Sequence, residues 1–106
     1  MGLLDLLFGE SKKAAYLKEL YANGAIIVDV RTPEEFRSGH IKDSINIPLQ
    51  TISQKAASLQ QKKKPLIVVC LSGGRSSMAV TALKQAGIDA YNGGGWSSLE
   101  KKLSNS

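Results

Sequence analysis

Cysteine is almost missing from this sequence: Cys70 is the only one in 106 residues. No intrachain disulfide can form, which excludes the stapled secreted scaffolds. His40 is the only histidine, so a Cys/His zinc site or an iron–sulfur cluster would lack ligands. Aromatic residues are scarce, at 6%, and do not interleave with the basic residues. The net charge of +5 therefore suits small anions rather than a nucleic acid. The densest cationic run, Lys62-Lys63-Lys64, reads as a solvated helix end, where cations offset the helix dipole. No run approaches the ~20 apolar residues of a membrane span. The apolar start from Met1 to Gly9 lacks the positive flank of a secretory signal. Leu6 stands where a myristoylation motif asks for Ser or Thr. Residues 1–10 are read as an apolar extension, a short helix over the domain edge or, alternatively, an interfacial membrane contact. Residues 11–106 are read as one domain, and a cytoplasmic setting is the expectation.

What is present is ordinary for a globular domain: 42% apolar and 22% charged residues. Ser11 can cap a helix to about Ala22, and Asn23-Gly24 can end it. Residues 25–30 (Ala-Ile-Ile-Val-Asp-Val) and 66–70 (Leu-Ile-Val-Val-Cys) are unbroken apolar runs, the pattern of strands covered on both faces. Thr32-Pro33-Glu34-Glu35 is a helix start, with Thr32 as N-cap, Pro33 in the first turn and Glu35 closing a capping box. Residues 44–47 read as a brief strand. A helix over about 51–61 follows, and another over about 75–86 with Met78, Ala79, Ala82, Leu83 and Ala86 facing the core. Asp89-Ala90-Tyr91 reads as a short strand, Asn92 to Gly95 as a turn, and Trp96 to Leu103 as the last helix. This alternation predicts an α/β fold with a parallel sheet of four to five strands and helices on both faces. The two apolar strands belong at its centre and the short ones at its edges. A switch in chain direction between the central strands would open a crevice at their carboxyl ends, where Arg31 and Cys70 lie.

The chemistry concentrates in Cys70-Leu71-Ser72-Gly73-Gly74-Arg75-Ser76. Cys70 ends a strand just before a helix, and two glycines let the intervening N–H groups curl around its sulfur. The helix N-terminus and Arg75 both favour a thiolate. Cys70 is thus the expected nucleophile, in a cup shaped for an anion. A buried structural cysteine is the alternative. Arg75 opposes the dipole of the helix it begins, so a nearby anion is expected to hold it.

These residues, with three further segments, resemble the single-domain rhodanese-like sulfurtransferases. The segments are Val28-Asp29-Val30-Arg31 with Thr32-Pro33-Glu34-Glu35-Phe36, then Gly39-His40-Ile41 through Ile45-Asn46-Ile47-Pro48, and Tyr91-Asn92-Gly93-Gly94-Gly95-Trp96. The likeness covers about residues 25–103. It implies a rhodanese-like fold and transfer of a sulfane sulfur through a persulfide on Cys70, with no cofactor beyond that covalent intermediate. Donors would be small sulfur anions such as thiosulfate, and acceptors cyanide or a thiol, including one on a protein. The N–H groups of Leu71, Ser72, Gly73, Gly74 and Arg75 would hold the persulfide, and Arg75 would bind the anionic donor. Ser72 and Ser76 are candidate hydrogen-bond donors. Arg31 is either a second anion contact or the partner of an acidic neighbour, and Asp29 is read as structural. His40 is expected in a structural turn rather than as a catalytic base, and Trp96 as a core aromatic rather than a pocket wall. Lys42-Asp43-Ser44 departs from the family's usual Pro-Gly-Ala. Many members also carry an extra first strand, which residues 1–10 do not offer.

Two other readings stay open. One is a phosphatase or arsenate reductase on the same fold. Related dual-specificity phosphatases place five residues between Cys and Arg, whereas four intervene here, a smaller cup. The other is a non-catalytic binding module, although such modules commonly lack the cysteine.

Overall fold

The computed structural model describes the backbone of residues 3–104 and the side chains of residues 12–104. Helix α1 (Leu3–Ala22) leads into strand β1 (Ile26–Asp29), helix α2 (Pro33–Ser38) and strand β2 (Ile45–Asn46). Two 3-10 turns precede helix α3 (Ala56–Gln61), and strand β3 (Leu66–Cys70), helix α4 (Gly74–Gln85), strand β4 (Ala90–Gly95) and helix α5 (Trp96–Ser104) complete the chain. The four strands are all parallel, in the order β2-β1-β3-β4. The apolar strands β1 and β3 are central, and the chain steps outward to β2 before returning past β1. Cys70 therefore ends a strand beside the point where the direction of winding changes.

Period-2 alternation splits the central strands between two cores. Val28, Leu66, Val68 and Cys70 pack with Ile52, Leu59, Ala79, Val80 and Leu83 on the α3–α4 side. Ile27, Ile67 and Val69 pack with Leu17 of α1 and Leu99 of α5 on the other. Both faces of the sheet are covered, which is why β3 carries no polar residue.

The sequence reading needs four corrections. First, α1 is one continuous helix, so Ser11 lies inside it and is not its cap. The packing expected of Leu3, Leu4, Leu7 and Phe8 falls outside the described side chains. Among the described residues no strand precedes β1, and the sheet has four strands, within the expected four to five. Second, the helix expected over 51–61 begins as 3-10 turns and is α-helical only from Ala56. Third, Asn92 to Gly95 is not a turn but the last four residues of β4. The pairing skips a residue there: Val68 faces Asn92 and Val69 faces Gly94, leaving Gly93 as a bulge. A Cβ on Gly93 would lie 2.8 Å from Ile67 Cγ2 and 2.9 Å from Val69 Cγ1, so only glycine fits. Fourth, the buried stripe of α4 is Ser76, Ala79, Val80 and Leu83, while Met78 is 58% exposed and Ala86 is exposed. The stripe is rotated because Ser76, a polar residue, takes the innermost place beneath the Cys70 loop.

Candidate active site

Strand β3 delivers Cys70 to the carboxyl edge of the sheet, and the chain needs only three residues to enter α4. Gly73 makes the turn in the left-handed region, at φ 104°, where a side chain would be strained. That turn aims N–H groups back at the sulfur. Gly73 N donates to Cys70 Sγ at 3.0 Å and Ser76 N at 3.4 Å. The residue is 1% exposed, so the sulfur sits in its loop rather than on the surface. Burial pushes the Cys70 thiol up. Hydrogen bonds from the Ser76 hydroxyl and from the N–H groups of Ser76, Gly73 and Ser72 outweigh it, and the net shift is downward.

Ser76 is the contested member of this shell. Its Oγ is 3.4 Å from Cys70 Sγ, 2.7 Å from Asn92 Oδ1 and 3.0 Å from the Gly73 carbonyl. The amide of Asn92 is oriented by two further bonds: Gly94 N donates to its Oδ1 at 2.9 Å, and its Nδ2 donates to Gly73 O at 3.2 Å. A serine has one hydroxyl proton. While Cys70 is a thiol, it donates to Ser76 Oγ and the serine proton goes to Asn92. To stabilise a thiolate, the hydroxyl must turn away from Asn92 and toward the sulfur.

Arg75 lies in the first turn of α4, a third exposed, and its fork is already filled. Nη1 donates to Glu35 Oε1 at 2.8 Å and Nη2 to Glu35 Oε2 at 3.0 Å. Glu35 is held as tightly from its own side. Its Oε1 accepts Thr32 N at 3.0 Å, Thr32 Oγ1 accepts Glu35 N at 3.2 Å, and together they form the expected capping box. The Arg75 guanidinium and the Thr32 N–H hold the Glu35 carboxyl down at about 2, so it is an anion at any working pH.

Arg31 is not brought to the cysteine. It is 3% exposed, and its Nε and Nη2 grip both carboxylate oxygens of Asp29 at 2.7–3.0 Å. The remaining donors reach Gly39 O at 2.7 Å and Glu35 O at 3.2 Å, and its guanidinium lies 4.7 Å from the Trp96 ring centre. Of the two roles open to Arg31, the structure shows the ion pair, and its expected contact with a donor anion is corrected on that ground. Trp96 backs this guanidinium and closes over Gly39, whose Cβ would meet its ring at 3.0 Å. His40 is exposed, stacked on Phe36 with ring centres 3.7 Å apart, and bonded through Nδ1 to Phe36 O at 2.7 Å, with no path to Cys70. Leu71 and Ser72 in the loop and Gly74 at the start of α4 are exposed, as a mouth requires.

Two members of the site have no sequence signal that names their role. Asn92 stands among turn residues, and its neighbouring glycines are the signal that backbone passes close to something. Glu35 has a sufficient local explanation in its capping box, which hides its second partner 40 residues away. The awkward position of Arg75 was the clue that an anion was near, and that anion is part of the chain itself.

Among the described residues no helix is long and apolar enough to cross a membrane, and no cluster of side chains could hold a metal ion. The family model for the rhodanese-like domain matches residues 13–102. The thiosulfate sulfurtransferase GlpE of Pseudomonas syringae is 40% identical over 76 residues, 69% of each chain. The mitochondrial protein HIGH ARSENIC CONTENT 1 of Arabidopsis thaliana is 36% identical over 93 residues, and this chain spans 55% of its length and is itself 76% covered. The crystal structure of a rhodanese-related protein from Thermoplasma volcanium superposes with a TM-score of 0.70 at 34% identity, covering 84% of this chain and 88% of that one.

Proposed function

Since the chain belongs to the rhodanese-like domain family, we propose that it is a sulfurtransferase that carries a sulfane sulfur on Cys70. The observation that supports this most is the pair of N–H groups aimed at one sulfur, Gly73 N at 3.0 Å and Ser76 N at 3.4 Å. Such donors stabilise a thiolate before reaction and the anionic persulfide after it.

The chemistry runs in two displacements. The Cys70 thiolate attacks the outer sulfur of thiosulfate, a sulfur–sulfur bond forms, and the old one breaks as sulfite leaves with its electron pair. An acceptor nucleophile, cyanide or a thiolate, then attacks the terminal sulfur of the persulfide. It leaves as thiocyanate or as the acceptor's persulfide, and the Cys70 thiolate returns. The loop N–H groups of residues 71–75 and the Ser76 N–H hold the charge throughout, and Arg75 receives the donor anion once Glu35 releases it. Cys70 is the only thiol, so the persulfide cannot close into an internal disulfide and must pass its sulfur to another molecule.

One relative's name contains arsenic, which keeps an oxyanion-processing enzyme as a second reading. The four residues between Cys70 and Arg75 and the filled arginine fork count against it. Incubation with thiosulfate is expected to add one sulfur atom per chain in intact-protein mass spectrometry, and Cys70→Ser to take up none. An unchanged wild-type mass refutes the sulfurtransferase reading. Cysteine-dependent turnover of an aryl phosphate supports the second.

A further inference from the structure

A cup built to receive a sulfur anion should present a free cation, yet the two arginines that the sequence offers for this role are both paired within the chain. Arg31 is consumed by Asp29, and both Nη atoms of Arg75 are bonded to Glu35. The Glu35 carboxylate is not a loose surface partner. Its main-chain carbonyl is tied to Arg31 and its side chain to Thr32 N, so it is presented to Arg75 at little further entropic cost. Bidentate pairing is also the geometry in which an arginine would hold a sulfonate or sulfate oxygen pair. We propose that Glu35 is a specificity-determining residue: it occupies Arg75 as an internal stand-in for the donor anion, and so biases the site against dianionic donors toward those of lower charge.

The physical argument is one of competition. A donor must displace the carboxylate from the arginine, and the released carboxylate then stays nearby because its helix and cap do not move. A dianion gains the arginine but meets both the Glu35 charge and the Cys70 thiolate, whereas a monoanion meets the same two charges with half the repulsion. Because the Glu35 carboxyl stays ionised far below neutrality, the competition does not fade within the working pH range.

Glu35→Gln is the informative variant, since glutamine can still close the capping box with Thr32 while the charge is lost. Glu34→Gln is its control. Glu34 is one residue away, exposed, and 3.7 Å from Arg37, so it carries the same charge without touching Arg75. The first measurement is a titration of the full chain with sodium sulfate, ionic strength being held constant with chloride, followed by NMR at the Arg75 side-chain N–H. Glu35→Gln is expected to bind sulfate about fivefold more tightly, the scale of one partly exposed ion pair, and Glu34→Gln to match wild type. Equal affinity in wild type and Glu35→Gln, or equal tightening in both variants, overturns the proposal.

The second measurement rests on the sulfurtransferase reading and compares thiosulfate with methanethiosulfonate. In the latter a methyl group replaces one anionic oxygen, and methanesulfinate leaves in place of sulfite. In Glu35→Gln the KM for thiosulfate is expected to fall about fivefold and that for methanethiosulfonate about twofold, with kcat little changed for either. A common change in both KM values overturns the selectivity. Absence of sulfur uptake by wild type from either donor defeats the sulfurtransferase reading instead, and the sulfate titration still decides whether Glu35 competes for Arg75.

Discussion

Replacing Ser76 with alanine and Asn92 with alanine should move the Cys70 thiol in opposite directions. Ser76→Ala removes the hydroxyl that can turn toward the thiolate. A hydrogen bond to a charged group contributes ~1.5–3 kcal/mol, and the neutral bond to Asn92 that must be given up contributes ~0.5–1.5. The difference, about 1 kcal/mol, favours the thiolate, so losing the hydroxyl raises the Cys70 thiol. Asn92→Ala removes the acceptor that competes for the same proton at 2.7 Å. The Gly73 carbonyl at 3.0 Å still competes, so the thiol is expected to fall, and by less than Ser76→Ala raises it. The double variant should lie close to Ser76→Ala alone, because without the hydroxyl Asn92 reaches the sulfur only indirectly, through its Nδ2 bond to the carbonyl of Gly73. Thiolate absorbance followed against pH reads all four proteins, and with one cysteine the signal belongs to one site. The sign for function follows directly: the rate of sulfur uptake climbs as pH rises through the Cys70 pKa, so Ser76→Ala shifts that climb to higher pH. A rise in Asn92→Ala, or a shift from Asn92→Ala that persists when Ser76 is already alanine, would refute the shared-proton account.

Two further outcomes test the frame around the site. Gly93→Ala forces a Cβ against Ile67, Val69 and Leu99 at 2.8–3.1 Å, and overpacking of this kind costs about 1–3 kcal/mol. Thermal unfolding should fall by several degrees, and an unchanged melting temperature would mean that β4 does not bulge as described. Arg31→Lys keeps the charge but loses the fork that serves Asp29, Gly39 and Glu35. Its melting temperature should drop while the KM for thiosulfate in the folded protein stays within about twofold, since lysine can still pair with Asp29 and the Glu35–Arg75 pair that meets the anion does not pass through Arg31. A large KM change with an unchanged melting temperature would restore Arg31 as a donor contact.

The parts legible in the sequence were those decided by local pattern. Residues 66–70 could be placed as a central strand because an unbroken apolar run needs cover on both faces. Thr32 and Glu35 could be read as a cap because the spacing itself makes the bond. The loop around Cys70 was legible because two glycines beside the only thiol leave few alternatives. What could not be read depended on contacts distant in the chain. Asn92 to Gly95 carries turn residues, and only the crowding of Ile67 and Val69 shows that its glycines serve a strand. Met78 sits at core spacing by pattern, but Ser76 claims the inner face of α4 because it must reach both Cys70 and Asn92. Glu35 had a sufficient local explanation, so nothing in the spacing announced its bond to Arg75.

The Arg31 guanidinium binds β1 through Asp29, α2 through the Glu35 carbonyl and the following turn through Gly39, while resting on Trp96 of α5. Four stretches of chain therefore move as one body, and Glu35 cannot withdraw by swinging its helix aside. Only the Arg75 and Glu35 side chains are left to rearrange when an anion arrives. Rotamer changes of such partly exposed side chains take picoseconds to nanoseconds, against microseconds to milliseconds for a hinge. Entry to this site is thus timed by single bonds rather than by the backbone, and sulfur uptake after rapid mixing should begin without a lag.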